Sequence, residues 1–235
     1  MSDPVTVTRA QHGWRFYGWW GVVLATLFFI FVTNGLTIGG IQAFDPHLLA
    51  ALSIDRAPLK LGDAIQLGTA AVFTLLTGWA ADRIGVRPVM TVGVLLLAAS
   101  FYGLGQVETV GGLYALRFVM GLGLAGAGLA VCVVIVSRWF ISRRGLALGL
   151  MLAGTSLGSA VLPTVFTDLI ATHGWRQAAA YGAFAPLVLL PVIWLAIREW
   201  PARIGLAPYG GAAAHAAALA GPELSYRDIV ARREF

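Results

Sequence analysis

Charge is scarce in this chain. Asp, Glu, Lys and Arg make up 11% of its 235 residues, against about 25% in an ordinary soluble domain. Hydrophobic residues reach 58%, more apolar surface than one soluble core of this size can hide. The same richness in aliphatic and aromatic side chains excludes disorder. Cysteine is almost missing. Cys132 stands alone inside an apolar run, so no intrachain disulfide can form. His12, His47, His173 and His215 fall in termini or loops, without the spacing of metal ligands. No G-x-x-x-x-G-K-S/T loop is present to cradle a phosphate. Catalysis, a bound metal, a cofactor and ATP-driven transport therefore have no residues to rest on. The net charge of +5 sits in short loops between apolar runs, which points to membrane topology rather than nucleic-acid binding.

What is present is long apolar runs. A hydrocarbon core of about 30 Å needs about 20 helical residues. Six segments reach that length: Tyr17–Gln42, Leu61–Ala81, Val89–Val107, Gly112–Val136, Gly145–Ile170 and Gln177–Ile197. The first, at 26 residues, is too long for a signal-peptide core. Tight connections make consecutive helices antiparallel neighbours. Alternating ten-residue segments, the mark of a membrane β-barrel, are missing.

Orientation follows from the basic residues. Arg9, Arg15, Arg83, Arg87, Arg138, Arg143, Arg144, Arg198, Arg203, Arg227, Arg232 and Arg233 fall on one side. Arg56, Lys60 and Arg176 fall on the other. The positive-inside rule then places both termini in the cytoplasm. Trp14, Trp19, Trp20, Trp79, Trp139 and Trp200 cluster at the same span ends, as an interfacial belt would. Glycines four apart (Gly35 and Gly39, Gly145 and Gly149, Gly154 and Gly158) and the run Gly121, Gly123, Gly126, Gly128 let helices approach closely.

Between the second and third runs the chain reads Gly78-Trp79-Ala80-Ala81-Asp82-Arg83-Ile84-Gly85-Val86-Arg87-Pro88. Asp82 would lie at a helix C-terminus, where the dipole disfavours an anion unless cations compensate. Arg83 and Arg87 are placed to supply them, and Gly85 permits a tight reversal. The stretch resembles the G-x-x-x-D-R-x-G-x-R motif of the major facilitator superfamily. That resemblance implies an all-α membrane protein of six transmembrane helices, built as two inverted three-helix repeats. This is one half of a major facilitator fold. It also implies that Gly78, Asp82, Arg83, Gly85 and Arg87 form a conformational latch between two halves. Tyr17-Gly18-Trp19-Trp20, the run from Ser137 to Gly149, Ala153–Gly158, His173-Gly174-Trp175-Arg176 and Pro201–Gly210 look like the monocarboxylate and oxalate/formate branch. That branch places a charged lysine in the first span of some members, and Tyr17–Gln42 has no charged residue.

Arg117 is the basic residue that lies inside a span. Such groups face a cavity or a partner. Two roles are open: an anion ligand lining the central pathway, or a structural cation that snorkels or pairs with Asp168. Asn34 and Thr37, three apart in the first span, share a face and could hydrogen-bond a carboxylate or a neighbouring helix. Gln66, Thr155, Ser156 and Ser159 have the same two readings. Asp63 reads as a first-turn dipole partner of the second span.

Residues 1–16 are expected to be a cytoplasmic N-terminus, 17–197 the six-helix domain, and 198–235 a flexible cytoplasmic linker leading toward a seventh helix. Ser225-Tyr226-Arg227-Asp228 resembles that helix's start. The expected protein is then the N-terminal half of a carrier in the cell (plasma, or inner) membrane. It would move a small solute, such as a monocarboxylate, by alternating access. Its expected partners are that solute, the lipid bilayer and a second six-helix half, with no nucleic acid. A self-pairing six-span carrier, a non-transporting subunit and a truncated fragment are the alternatives.

Overall fold

Six helices are long and apolar enough to cross a membrane in the computed structural model, which describes residues 16–210. Span one is Gly18–Leu52, span two Arg56–Ile84 and span three Val86–Leu104. Span four is Val110–Trp139, span five Arg144–His173 and span six Trp175–Ala196. Every expected run is a helix. Spans one and two differ most from the reading, because polar residues that end an apolar run need not end a helix. Span one continues ten residues past Gln42, through Pro46 at a first-turn position that needs no N–H. Span two starts at Arg56, so Asp63 lies beyond the first turn and is not its dipole partner. Residues 1–15 and 211–235, with Arg9, Trp14 and the segment Ser225–Asp228, lie outside the described residues.

Spans one and four form the middle of the bundle. In their most apolar stretches 67% and 61% of residues are buried, against 17% and 22% in spans two and five. Span two packs on span four as span five packs on span one, and span three packs on span six. Exchanging spans one to three with four to six maps these contacts onto one another, as an inverted repeat requires.

The two short turns inside the repeats show the same relation in detail. Gly85 (φ 95°, ψ 159°) joins spans two and three; Gly174 (φ 81°, ψ 155°) joins spans five and six. That backbone region is open essentially to glycine alone. Two residues later each turn carries an arginine. Arg87 donates from Nε (2.9 Å) and Nη2 (2.7 Å) to the Ile197 carbonyl, just past span six. Arg176 donates from Nη1 to the Gly105 carbonyl, just past span three, at 3.0 Å. Each arginine caps a helix of the other repeat. The correspondence runs Gly85 to Gly174 and Arg87 to Arg176, so Asp82 answers to Ala171.

Close crossings use the expected glycines in part. A Cβ on Gly35 would come within 2.8 Å of the Gly158 Cα, and one on Gly39 within 2.8 Å of the Ser159 Cα. Gly145 and Gly149 instead face open space. The tryptophans also divide. Trp20, Trp79 and Trp200 are exposed as a belt requires, whereas Trp19 and Trp139 are buried. Those two pack with Phe16, Phe140 and Tyr209 in an aromatic cluster.

Tyr209 reaches that cluster because the chain after span six folds back. The Tyr209 N–H donates to the Trp139 carbonyl at 2.8 Å, and the Tyr209 carbonyl accepts from Ile141 and Ser142. The Trp139 indole donates to the Arg198 carbonyl at 2.7 Å. Residues 198–210 are tied back to the bundle, because backbone groups of Arg198 and Tyr209 find partners beside span four.

Candidate functional site

Span four is not continuous. Its helix ends at Ala127 and restarts at Leu129, with Gly128 extended between them (φ −101°, ψ −167°). An extended residue removes local helical hydrogen bonds, which is tolerated at membrane depth only beside protein or a cavity. A cleft of about 520 Å³ lies beside it, lined by Gly128, Leu129, Ala130, Asn34 and Thr74. The N-terminus of the second half-helix, with its positive dipole end, borders that cleft. The sequence showed four glycines between 121 and 128 and nothing to single out Gly128.

Span one is also irregular. Gly35–Gly39 is a π-type stretch and Gly40–Phe44 a tighter 3-10 turn; such changes of register leave carbonyls in need of donors. Gln66 of span two meets that need, donating from Nε2 to the Thr37 carbonyl at 3.1 Å. The Thr37 hydroxyl donates back to the Thr33 carbonyl at 2.8 Å. A smaller cleft of about 210 Å³ is lined by Thr37, Gln42, Asp63 and Gln66. Asn34 lies three residues away and donates to Thr155 of span five at 3.2 Å. Asn34 and Thr37 thus border two different clefts.

Arg117 stands behind the smaller cleft, with 1% of its side chain exposed. It pairs with Asp63 at 2.9 Å and approaches Asp45 at 4.0 Å. Asp168 is not its partner. Depth along a helix can be counted in sequence, but which neighbour faces it depends on how the helices pack. Arg117 also donates to Gln66 Oε1 at 3.0 Å. Lys60 closes the network, reaching Asp63 at 2.8 Å and Asp45 at 2.9 Å. Two cations, two carboxylates and one amide therefore tie spans one, two and four together. Removing Asp63 would leave Arg117 buried without its nearest counter-charge, a loss of about 3–5 kcal/mol. Asp45 and Lys60 carry no motif and were missed.

The other end of the bundle holds the motif residues. Asp82 is paired with Arg138 of span four at 3.2 Å, and its side chain is 75% exposed. Arg83 does not compensate Asp82; its guanidinium lies over the Trp79 ring at 4.5 Å. Arg87 is occupied by the Ile197 carbonyl. The expected compensation thus comes from Arg138, because the turn directs Arg87 away toward span six. Glu199, buried, accepts from the Val86 and Arg87 N–H groups at 3.0 and 3.2 Å. It caps the N-terminus of span three from 113 residues away. Sequence reading had no signal for that contact.

A six-span membrane bundle of two inverted repeats, with a charged turn at one end, defines the class. The chain belongs to the Major Facilitator Superfamily, whose family model matches residues 27–232. It is similar to a gallate transporter of Pseudomonas putida, 29% identical over 87% of this chain and 45% of that protein. A 4-hydroxybenzoate transporter of Pseudomonas putida is 30% identical over 75% of this chain and 40% of its own length. Monocarboxylate transporter 11 of Mus musculus is 31% identical, over 74% and 39% respectively. The chain spans less than half the length of these curated relatives.

Proposed function

We propose that this chain is the N-terminal six-helix half of a carrier that moves a small organic anion across the plasma membrane by alternating access. The observation that carries the reading is the unwound turn at Gly128, which opens a buried central helix onto a cleft. Broken helices present half-helix N-termini to anionic substrate groups in other carriers. Leu129 and Ala130 occupy that position here, facing the cleft that Asn34 borders. Gallate and 4-hydroxybenzoate, named for the relatives, are both carboxylates.

Within this reading Asn34 hydrogen-bonds the substrate, and Thr37 does so from the smaller cleft. Arg117 contributes its charge and holds Gln66 and Asp63 on that cleft's wall. Gly78, Asp82, Arg83, Gly85 and Arg87 form the latch. Exposed pairs such as Asp82–Arg138 are worth about 0.2–1 kcal/mol, weak enough to release in each cycle. A second six-helix half covers the open apolar faces of spans two and five, where Leu75, Leu76 and Leu157 are exposed. The basic-residue bias places both termini in the cytoplasm.

Uptake of radiolabelled 4-hydroxybenzoate and lactate into proteoliposomes tests the proposal. Counterflow that saturates and is lost in Asn34→Ala supports it; no uptake by the full-length protein for any carboxylate overturns it. Uptake by the 235-residue chain alone would mean that it pairs with itself. Uptake only with a co-expressed C-terminal half would identify the second half. For Arg117→Gln, retained folding with lost binding marks a ligand, and loss of folded protein marks a strut.

A further inference from the structure

The end of the bundle that carries the motif also holds a cleft of about 470 Å³, between the turn of spans two and three and the end of span six. Three guanidinium groups line it: Arg83, Arg87 and Arg138. Asp82 and Glu199 line it too, so three cations face two carboxylates. Both carboxylates are engaged. Asp82 holds one nitrogen of Arg138, and Glu199 Oε1 is taken by the backbone of the turn. The donors are not all used. Among the described residues Arg83 makes no hydrogen bond or ion pair. Arg87 keeps Nη1, and Arg138 keeps Nε and Nη1.

The rim of the cleft is aromatic. Arg138 lies over the Trp200 ring at 4.4 Å and Arg87 over Trp194 at 5.9 Å. Trp194, Trp200 and Ile84 are exposed, Ile84 and Trp194 near the ends of spans two and six and Trp200 just past span six. Amphipathic rings of this kind settle at headgroup depth, and stacking holds the guanidinium planes in place. Unused donors with one excess positive charge suit a phosphate monoanion. The adjoining apolar rim suits hydrocarbon. Basic pockets between membrane helices are lipid-headgroup sites in other proteins.

We propose that this cleft binds the phosphate of an anionic phospholipid, with Arg83 and Arg138 as ligands and Trp194 and Trp200 against the glycerol and upper acyl chain. Arg87, committed to the Ile197 carbonyl, supplies charge and one further donor. Bound lipid would then bridge spans two, four and six at the turn.

The test uses the full-length protein in detergent, with short-chain phosphatidylglycerol, short-chain phosphatidylcholine and inorganic phosphate as probes in native mass spectrometry. Phosphatidylglycerol should bind at least tenfold more tightly than phosphatidylcholine, and excess phosphate should compete weakly. The R83Q/R138Q variant should lose at least fivefold in phosphatidylglycerol affinity. R143Q/R144Q, at the same end but outside the cleft, should lose less than twofold. Equal binding of both lipids, or equal loss in both variants, overturns the site in favour of general basic attraction. Phosphate competing as well as lipid overturns the lipid assignment. Should R83Q/R138Q fail to fold, photoactivatable phosphatidylglycerol on the unmodified protein decides. Labels within 79–88 and 194–200 support the proposal; labels elsewhere overturn it.

Discussion

The turn between spans two and three and the turn between spans five and six share one backbone and differ in chemistry. Both reverse at a positive-φ glycine, and both send an arginine two residues on to the open carbonyl of a helix in the other repeat. Around Gly85 are Asp82, Arg138 and Glu199. Around Gly174 stand Ala171 and, on the helix that follows, Tyr181 in ring contact with His173. What the two turns share therefore belongs to the architecture of a repeat. What only one has, Asp82 with Arg138 and Glu199, is particular to that end and is where the proposed latch lies.

The largest expected effect on this comparison comes from Gly85→Ala. Strain in that backbone region costs about 1–3 kcal/mol, and the new Cβ would also stand 3.1 Å from Glu199 Oε1. Gly174→Ala meets nothing within 4 Å, so it should show the strain alone. Thermal unfolding in detergent should rank Gly85→Ala as the more damaging; equal losses would mean that Glu199 yields freely.

Next in size is Arg87→Gln. It removes two charge-assisted bonds from a half-buried site, about 1.5–3 kcal/mol in sum. Arg176→Gln removes one from an exposed side chain and should cost under about 1 kcal/mol. A larger loss at Arg176 would reverse the assignment of the stronger cap to the charged turn.

Glu199→Gln should cost about 1 kcal/mol or less, since the amide oxygen can still accept from Val86 and Arg87 while the charge at the helix N-terminus is lost. Asp82→Asn is expected to move stability least, by under about 1 kcal/mol. On the proposed function it should nonetheless change the uptake rate in liposomes. A large stability loss with unchanged uptake would make Asp82 a structural residue and dissolve the contrast between the turns.

The spans were legible because a bilayer demands long apolar runs, and Asp82–Arg87 was legible because its residue types sit close together in sequence. The repeat relation could be only half read, since Gly174 and Arg176 match Gly85 and Arg87 while Ala171 stands where Asp82 would have its counterpart. Helix ends beyond the hydrocarbon, such as Asp45–Leu52 and Arg56–Lys60, do not obey the apolar rule and were cut short. Arg117 announced itself as a buried charge. Its partners Asp63 and Asp45 did not, because they depend on rotation and packing of spans one and two. Glu199 and the break at Gly128 are tertiary facts: one rests on a contact across the repeats, the other on which of the four glycines between 121 and 128 lies beside a cleft.

The mooring of Tyr209 has a mechanical meaning. Beyond span six the chain is tied at Tyr209 to Trp139, at the end of span four, and to Ile141 and Ser142, just before span five. A pull on the chain beyond residue 210 would not peel span six away; it would load the joint where the repeats meet the aromatic cluster. Force entering there would first load the rings of Phe16, Trp19 and Phe140 against which Tyr209 packs, like a strap pulled at its anchor rather than at the bar it crosses.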